Sequence, residues 1–268
     1  MTDAVTAGGS AARSAEGASD ASAGHVASGT DVASGMDLAS GMESVTSALA
    51  EVGRSAVARG LALASGGNLS ARLPGDARTF AITAAGARLD DLGPEQFCAM
   101  TLAGETVTFP GETVPADAAA VADPAEARAR RARPSSEWKL HQRIYRARPD
   151  VNAVVHLHPQ YAVLLDALGH RVRMMTLDHA AYVRSVGTVA YHPNGSDALA
   201  DEAAAAASEH DCLILSHHGC AALGETVEMA HRRALNLEEA ATATYRALLL
   251  GDTETAFPAA ALADIHHA

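Results

Sequence analysis

The sequence predicts a three-layer α/β/α domain, and three observations support this fold class. Apolar runs of strand length recur at 80–83, 151–156, 186–191 and 212–215. Helix-like stretches separate them, the mixed pattern of helices layered on a sheet. Hydrophobic residues make up 48% of the chain and aromatics only 4%, so Ala, Val, Leu and Ile must build the core. At 268 residues the chain is long enough for one domain with a substantial core and an appended tail.

Residues 1–43 are dominated by Ala, Gly, Ser and Asp and carry almost no large apolar side chains. An imperfect repeat, VASGTD, VASGMD and LASGME, fills 26–43. Three copies are too few to stack into a solenoid core, so 1–43 reads as a low-complexity, disordered tail. A first helix at 44–59 carries Val45, Leu49, Val52 and Val57 as a buried stripe and stops at Gly60. A strand at 80–83, a short helix at 94–100 opened by Pro94, and a strand or hairpin at 101–109 follow. The stretch 112–133 then passes into the run RARRAR, read as solvated charge within an inserted loop at about 111–132. The next helix takes Ser135 or Ser136 as its N-cap and ends before Pro149. A strand at 151–156, helix 159–168, strand 186–191, helix 196–208, strand 212–215 and a long helix 225–250 complete the domain, with 252–268 as a C-terminal tail.

A net charge of −12 argues against nucleic acid or an anionic membrane as the partner. Cys98, Cys212 and Cys220 lack metal-site spacing and read as reduced thiols. No apolar run reaches transmembrane length, and the N-terminus has neither a basic start nor an apolar stretch of signal type. A cytoplasmic protein acting on a small molecule is the expectation.

Chemistry concentrates in two stretches, 133–159 and 215–219. Strand alternation puts His156 and His158 on one face, roughly 7 Å apart along the chain, while Leu157 points into the opposite layer. Two imidazoles on one face of an apolar strand need polar partners, and a metal supplies them directly. A third ligand is available at His217 or His218, and spacing does not choose between them. Glu137, opening a helix, is a candidate proton carrier whose pKa a dry pocket would raise. The Gly66-Gly67-Asn68 backbone and the Ser135 and Ser136 hydroxyls at a helix N-terminus are natural anion donors.

Gly67-Asn68-Leu69-Ser70, Ile82-Thr83, Gly86, Pro134-Ser135-Ser136-Glu137-Trp138, His141, Arg148-Pro149-Asp150, the run from Asn152 to His158, and His217-His218-Gly219 occur in a telling order. From about 44 to 251 the chain thereby resembles the class II aldolase/adducin family, whose type member is a zinc-dependent aldolase. The resemblance implies a mostly antiparallel central sheet and a homotetramer. It implies one Zn2+ per subunit on His156, His158 and His218, with cobalt, manganese or iron able to use the same ligands. Glu137 becomes the general acid/base, set against the metal when substrate is absent, and His217 a structural residue. Ser65, Gly67, Asn68, Gly86, Ser135 and Ser136 correspond to the family's phosphate-holding positions. Ala85 stands where the type member has a hydroxyl residue, and Met175-Thr176-Leu177-Asp178-His179 occupies the region of its tyrosine proton donor. The implied activity is aldol cleavage of a ketose phosphate, or a similar hydroxy-ketone, to dihydroxyacetone phosphate and an aldehyde through an enediolate. A decarboxylase of a 3-oxo sugar acid phosphate or a sugar-phosphate dehydratase would use the same residues. A non-catalytic domain like the adducin head is the remaining reading, and it would hold no metal.

Overall fold

A computed structural model of the protein describes residues 35–63, 65–108 and 132–265. Residues 1–34 of the predicted tail and 111–131 of the predicted insertion lie outside the described residues. The first helix, α1 (Gly35–Ala58), starts well before the predicted position at 44, so the tail boundary at 43 is corrected. Leu38 and Met42 pack against the core and extend the stripe formed by Val45, Leu49, Val52 and Ala56 at alternating steps of four and three. Val57, expected in that stripe, is only partly buried. The helix ends as predicted at Gly60, where φ is 74° and the Leu61 N–H reaches back to the Ala56 carbonyl at 2.9 Å.

Eight strands form one sheet: β1 (Asn68–Leu73), β2 (Asp76–Thr83), β3 (Phe97–Thr101), β4 (Thr106–Val107), β5 (Ala153–Leu157), β6 (Val186–Val189), β7 (Cys212–Leu215) and β8 (Gly219–Gly224). Their order is β4-β3-β2-β1-β5-β8-β7-β6. Only β6 and β7 run parallel; the other neighbours are antiparallel. The remaining long helices are α2 (Trp138–Ala147), α3 (Gln160–Ala167), α4 (Asp197–Ala206) and α5 (Val227–Leu249). One face of the sheet packs Leu69, Val155, Leu157 and Ile214 against α1, α3 and α5, through Leu49, Leu165 and Leu237. The other packs Phe80, Ile82, Val154 and Leu213 against α2 and α4, through Leu140, Ile144 and Leu199. This is the three-layer α/β/α architecture with a mostly antiparallel sheet.

Three strands and one turn differ from the sequence reading. The predicted helix at 94–100 is a 3-10 turn, Pro94–Gln96, leading into β3, because Phe97, Ala99 and Cys98, Met100 alternate between the two cores. The strand β8 begins directly at Gly219 and was not among the strands read from the sequence. The strand β1 is buried along its whole length although it reads Asn-Leu-Ser-Ala-Arg-Leu. Leu69, Ala71 and Leu73 enter the larger core, and the polar residues between them face α2 without meeting solvent. Arg72 donates there to the carbonyls of Val151 (2.9 Å) and Tyr145 (2.6 Å).

After α5, the predicted C-terminal tail is tied to the preceding structure. Arg173 donates to the carbonyls of Asp252 and Thr255, and the Phe257 N–H to that of Met174 at 2.6 Å. Among the described residues no helix is long and apolar enough to cross a membrane.

Candidate metal centre

The centre is built on β5, which lies between β1 and β8 in the middle of the sheet. His156 lies within this strand, paired with Asn68 on one side and Ala221 on the other. His158 follows the strand end, its N–H donating to the Leu61 carbonyl at 3.0 Å. Directly after Pro159, the half-buried Glu238 of α5 accepts the N–H groups of Tyr161 and Ala162 at 2.9 Å each and so closes the N-terminus of α3. The third histidine comes from the β7–β8 hairpin, whose loop runs between the paired residues Leu215 and Gly219. His217 takes the loop position with φ 58° and stays exposed, its ring 6.5 Å from that of Tyr191. His218 donates its N–H to the Leu215 carbonyl at 3.0 Å and turns its ring inward. Of the two candidates the backbone selects His218.

His156, His158 and His218 converge, with ligand atoms all within 4.8 Å of one another and ring centroids 4.9–5.1 Å apart. The Cys220 carbonyl accepts from His156 Nδ1 at 2.8 Å, so Nδ1 carries the hydrogen and Nε2 faces the cluster. That Nε2 stands 3.3 Å from His158 Nε2 and 3.1 Å from Glu137 Oε2, and Glu137 Oε1 stands 3.5 Å from His218 Nε2. Electron-rich atoms at such distances repel unless a proton or a cation lies among them. Oε1 is also buried with no hydrogen-bond partner, an orphan that a cation would satisfy. Ligands held at about 2.1 Å around one tetrahedral ion stand roughly 3.4 Å apart, so the donor set fits a divalent metal. Burial pushes the His158 pKa down to about 4 and lowers that of His218, which keeps both rings neutral and able to ligate at pH 7.

Glu137 departs from the sequence expectation. Burial does push its carboxyl upward, but His156, His218 and the Asn68 amide around it outweigh burial and hold the pKa at about 2. The side chain is therefore ionised throughout the neutral range. Glu137 itself occupies the N-cap position of α2, where Ser135 or Ser136 was predicted. Ser135 accepts the Glu137 N–H at 3.3 Å, and its own N–H donates to the Thr83 carbonyl, which pins this corner to the end of β2.

Glycines let the backbone come close to the histidines. A Cβ on Gly67, whose φ is 89°, would lie 2.5 Å from the His156 carbonyl oxygen. On Gly219 it would lie 2.4 Å from the Leu157 carbonyl oxygen and 2.7 Å from His158 Cδ2. Gly219→Ala must therefore displace the segment that carries His156 and His158. We expect that variant to purify with its metal content reduced at least tenfold, measured by elemental analysis after dialysis, a loss in the range seen when metal-site supports are removed.

The predicted anion-holding residues Ser65, Gly67, Asn68, Gly86, Ser135 and Ser136 all line one cavity of about 180 Å³, together with Glu137, His158 and His218. No Lys or Arg is among its described lining residues, so an anion there would rely on N–H groups, hydroxyls and a bound metal. Ala85 also lines it, where a hydroxyl residue would have added a donor. Asn194, missed in the sequence, completes the lining. Its only sequence signal was a Pro-Asn-Gly turn, and Gly195 brings that turn so close that a Cβ would lie 2.6 Å from the Ser136 carbonyl oxygen. Asp178 and Tyr182 do not line this cavity; Tyr182 lies instead under Arg232, 5.1 Å from its ring.

Known proteins resemble this chain along most of its length. The class II aldolase and adducin N-terminal domain family matches the chain over residues 47–245. The L-fuculose phosphate aldolase of Methanococcus vannielii is 31% identical over 177 residues, covering 66% of this chain and 82% of that protein. The 3-oxo-tetronate 4-phosphate decarboxylase of Pectobacterium atrosepticum is 29% identical over 209 residues, covering 76% of this chain and 84% of that protein. The solved structure of YgbL from Klebsiella pneumoniae superposes with a TM-score of 0.69 at 26% identity, covering 84% of this chain and 99% of that one. The fold, the converging histidines and the match across most of the domain lead to one assignment: the chain belongs to the class II aldolase/adducin N-terminal domain family.

Proposed function

We propose that the protein is a zinc-dependent lyase that cleaves a ketose phosphate, or a similar hydroxy-ketone, into dihydroxyacetone phosphate and an aldehyde. The observation that carries this reading is the Glu137 carboxylate standing against two of three converging histidines, beside a cavity lined by hydroxyls and glycines. When bound to His156, His158 and His218, zinc supplies a Lewis acid for a substrate carbonyl. The chain's residues do the rest. Cleavage moves a proton from the hydroxyl beside the breaking bond to the carbon left with negative charge. Glu137 is the one carboxylate among the described lining residues able to carry it. Ser65, Gly67, Asn68, Gly86, Ser135 and Ser136 hold the phosphate end through N–H and hydroxyl donors, with the α2 N-terminus favouring the anion.

The Methanococcus relative supports aldol cleavage, and the Pectobacterium relative supports decarboxylation of a 3-oxo sugar acid phosphate as the second reading. Both reactions leave charge on the same carbonyl oxygen, so the site residues serve either. A panel of ketose 1-phosphates read by coupled detection of dihydroxyacetone phosphate, beside 3-oxo acid phosphates read by CO2 release, separates them. Dihydroxyacetone phosphate supports the aldolase, CO2 alone supports the decarboxylase, and no product from metal-loaded protein contradicts both. A homotetramer in a reducing, cytoplasmic setting belongs to the same proposal. Leu63, Leu168, Leu249 and Leu250 are exposed apolar side chains of the kind that self-association covers, and Cys98, Cys212 and Cys220 are buried thiols.

A further inference from the structure

Strand β1 and helix α2 interleave polar side chains in a layer that is otherwise apolar. On α2, Glu137, His141 and Tyr145 recur every four residues and so share one face. On β1, Asn68 and Ser70 share the face turned toward that helix. The contacts alternate between the two elements. Tyr145 Oη lies 2.7 Å from Ser70 Oγ, Ser70 Oγ 2.6 Å from His141 Nδ1, His141 Nε2 2.5 Å from Asn68 Oδ1, and Asn68 Nδ2 3.0 Å from Glu137 Oε2. All five side chains are buried. We infer that His141, acting through Asn68, is a positioning residue for Glu137, and that this hydrogen-bond chain holds the carboxylate with Oε2 engaged and Oε1 presented to the histidine cluster. The inference rests on the role proposed for Glu137 above.

The donors and acceptors leave a single direction for the chain. An ionised carboxylate only accepts, so the Asn68 amide donates to it and turns Oδ1 toward His141. That oxygen can only accept, so His141 carries its hydrogen on Nε2. Nδ1 then accepts from the Ser70 hydroxyl, which in turn accepts from Tyr145. This pattern needs a neutral imidazole, and burial lowers the His141 pKa to about 3. Each of the four links uses one donor and one acceptor. The one open valence at its end is Glu137 Oε1, buried, without a hydrogen-bond partner and 3.5 Å from His218 Nε2.

Packing alone does not call for such a chain. The same layer is filled by Phe80, Ile82, Leu140, Ile144 and Val154. Buried polar pairs can often be replaced by apolar groups of similar shape at little cost, whereas removing one partner leaves the other unsatisfied. A chain this complete fixes one rotamer of one carboxylate, which an apolar layer could not do.

The test uses the metal-loaded full chain and His141→Phe, His141→Gln and Ser70→Ala. Glutamine can offer an amide N–H to Asn68 Oδ1 and an amide oxygen to Ser70, whereas phenylalanine offers neither. His141→Phe is expected to lower kcat by about 10–100-fold, the range found for groups that orient a metal site, with KM within about threefold and metal content unchanged. His141→Gln is expected to recover most of kcat, and Ser70→Ala to lose less than His141→Phe. A His141→Phe enzyme with wild-type kcat, or a glutamine variant no better than phenylalanine, overturns the inference. Nitrogen-15 histidine spectra of the wild-type chain give an arm independent of turnover and of how the variants fold. They should show His141 as the neutral Nε2–H tautomer at pH 7, with that resonance shifted in Glu137→Ala. The Nδ1–H tautomer, an imidazolium, or a resonance indifferent to Glu137→Ala would each sever the chain. If no substrate turns over, the proposed function fails while the spectra still decide the hydrogen-bond chain.

Discussion

Glu137→Gln is expected to lower turnover by about a thousandfold, within the range typical of a lost general acid or base, while the chain keeps its metal. The three histidines proposed as ligands are untouched by this change. Glutamine matches glutamate in size and can still accept the Asn68 amide, so the packing around position 137 stays intact. What disappears is a group able to take up and return a proton. His156, His218 and Asn68 around it hold that carboxyl well below the usual range, so it is ionised at neutral pH. Activity within tenfold of wild type in this variant, at equal metal content, would remove Glu137 from the proton-carrying role.

His158→Ala should lose the metal itself, and turnover with it. His158 supplies one of three nitrogens, and removing a direct ligand is expected to cost more than the 10–100-fold typical of outer-shell changes. The informative control is the neighbour that resembles a ligand in sequence. His217 is exposed beside the hairpin's ligand residue, so His217→Ala should keep both metal and activity. Metal analysis after dialysis reads both variants. A metal-free His217→Ala chain beside a loaded His158→Ala chain would invert the assignment of the site.

Much of this arrangement was legible in the sequence because the apolar runs and the ligands coincide. The pair His156 and His158 lies at the end of a run of buried residues, Ala153 to Val155, that reads as a strand and is one. The order of PSSEW, His-x-His and HHG carried the family and the choice of His218. What spacing could not supply was the conformation of the β7–β8 loop, where φ of 58° at His217 turns that residue away. The strand β1 escaped notice because alternating apolar and polar residues read as one wet face. Here the polar face is dry and its groups pair with α2. The early start of α1 was hidden by the glycines of the repeat, although Leu38 and Met42 already continued its stripe. Glu137 shows the same limit in electrostatic form. Burial alone predicts a raised pKa, and only the placement of His156, His218 and Asn68 around it reverses the sign.

The most direct test is the metal content of the purified chain, followed on the same sample by turnover before chelation, after chelation and after zinc is restored. The account predicts close to one zinc per chain, product formation that disappears with the metal, and recovery when zinc returns. A chain that purifies without metal, takes up none when zinc is offered, or turns over equally well after chelation would contradict it.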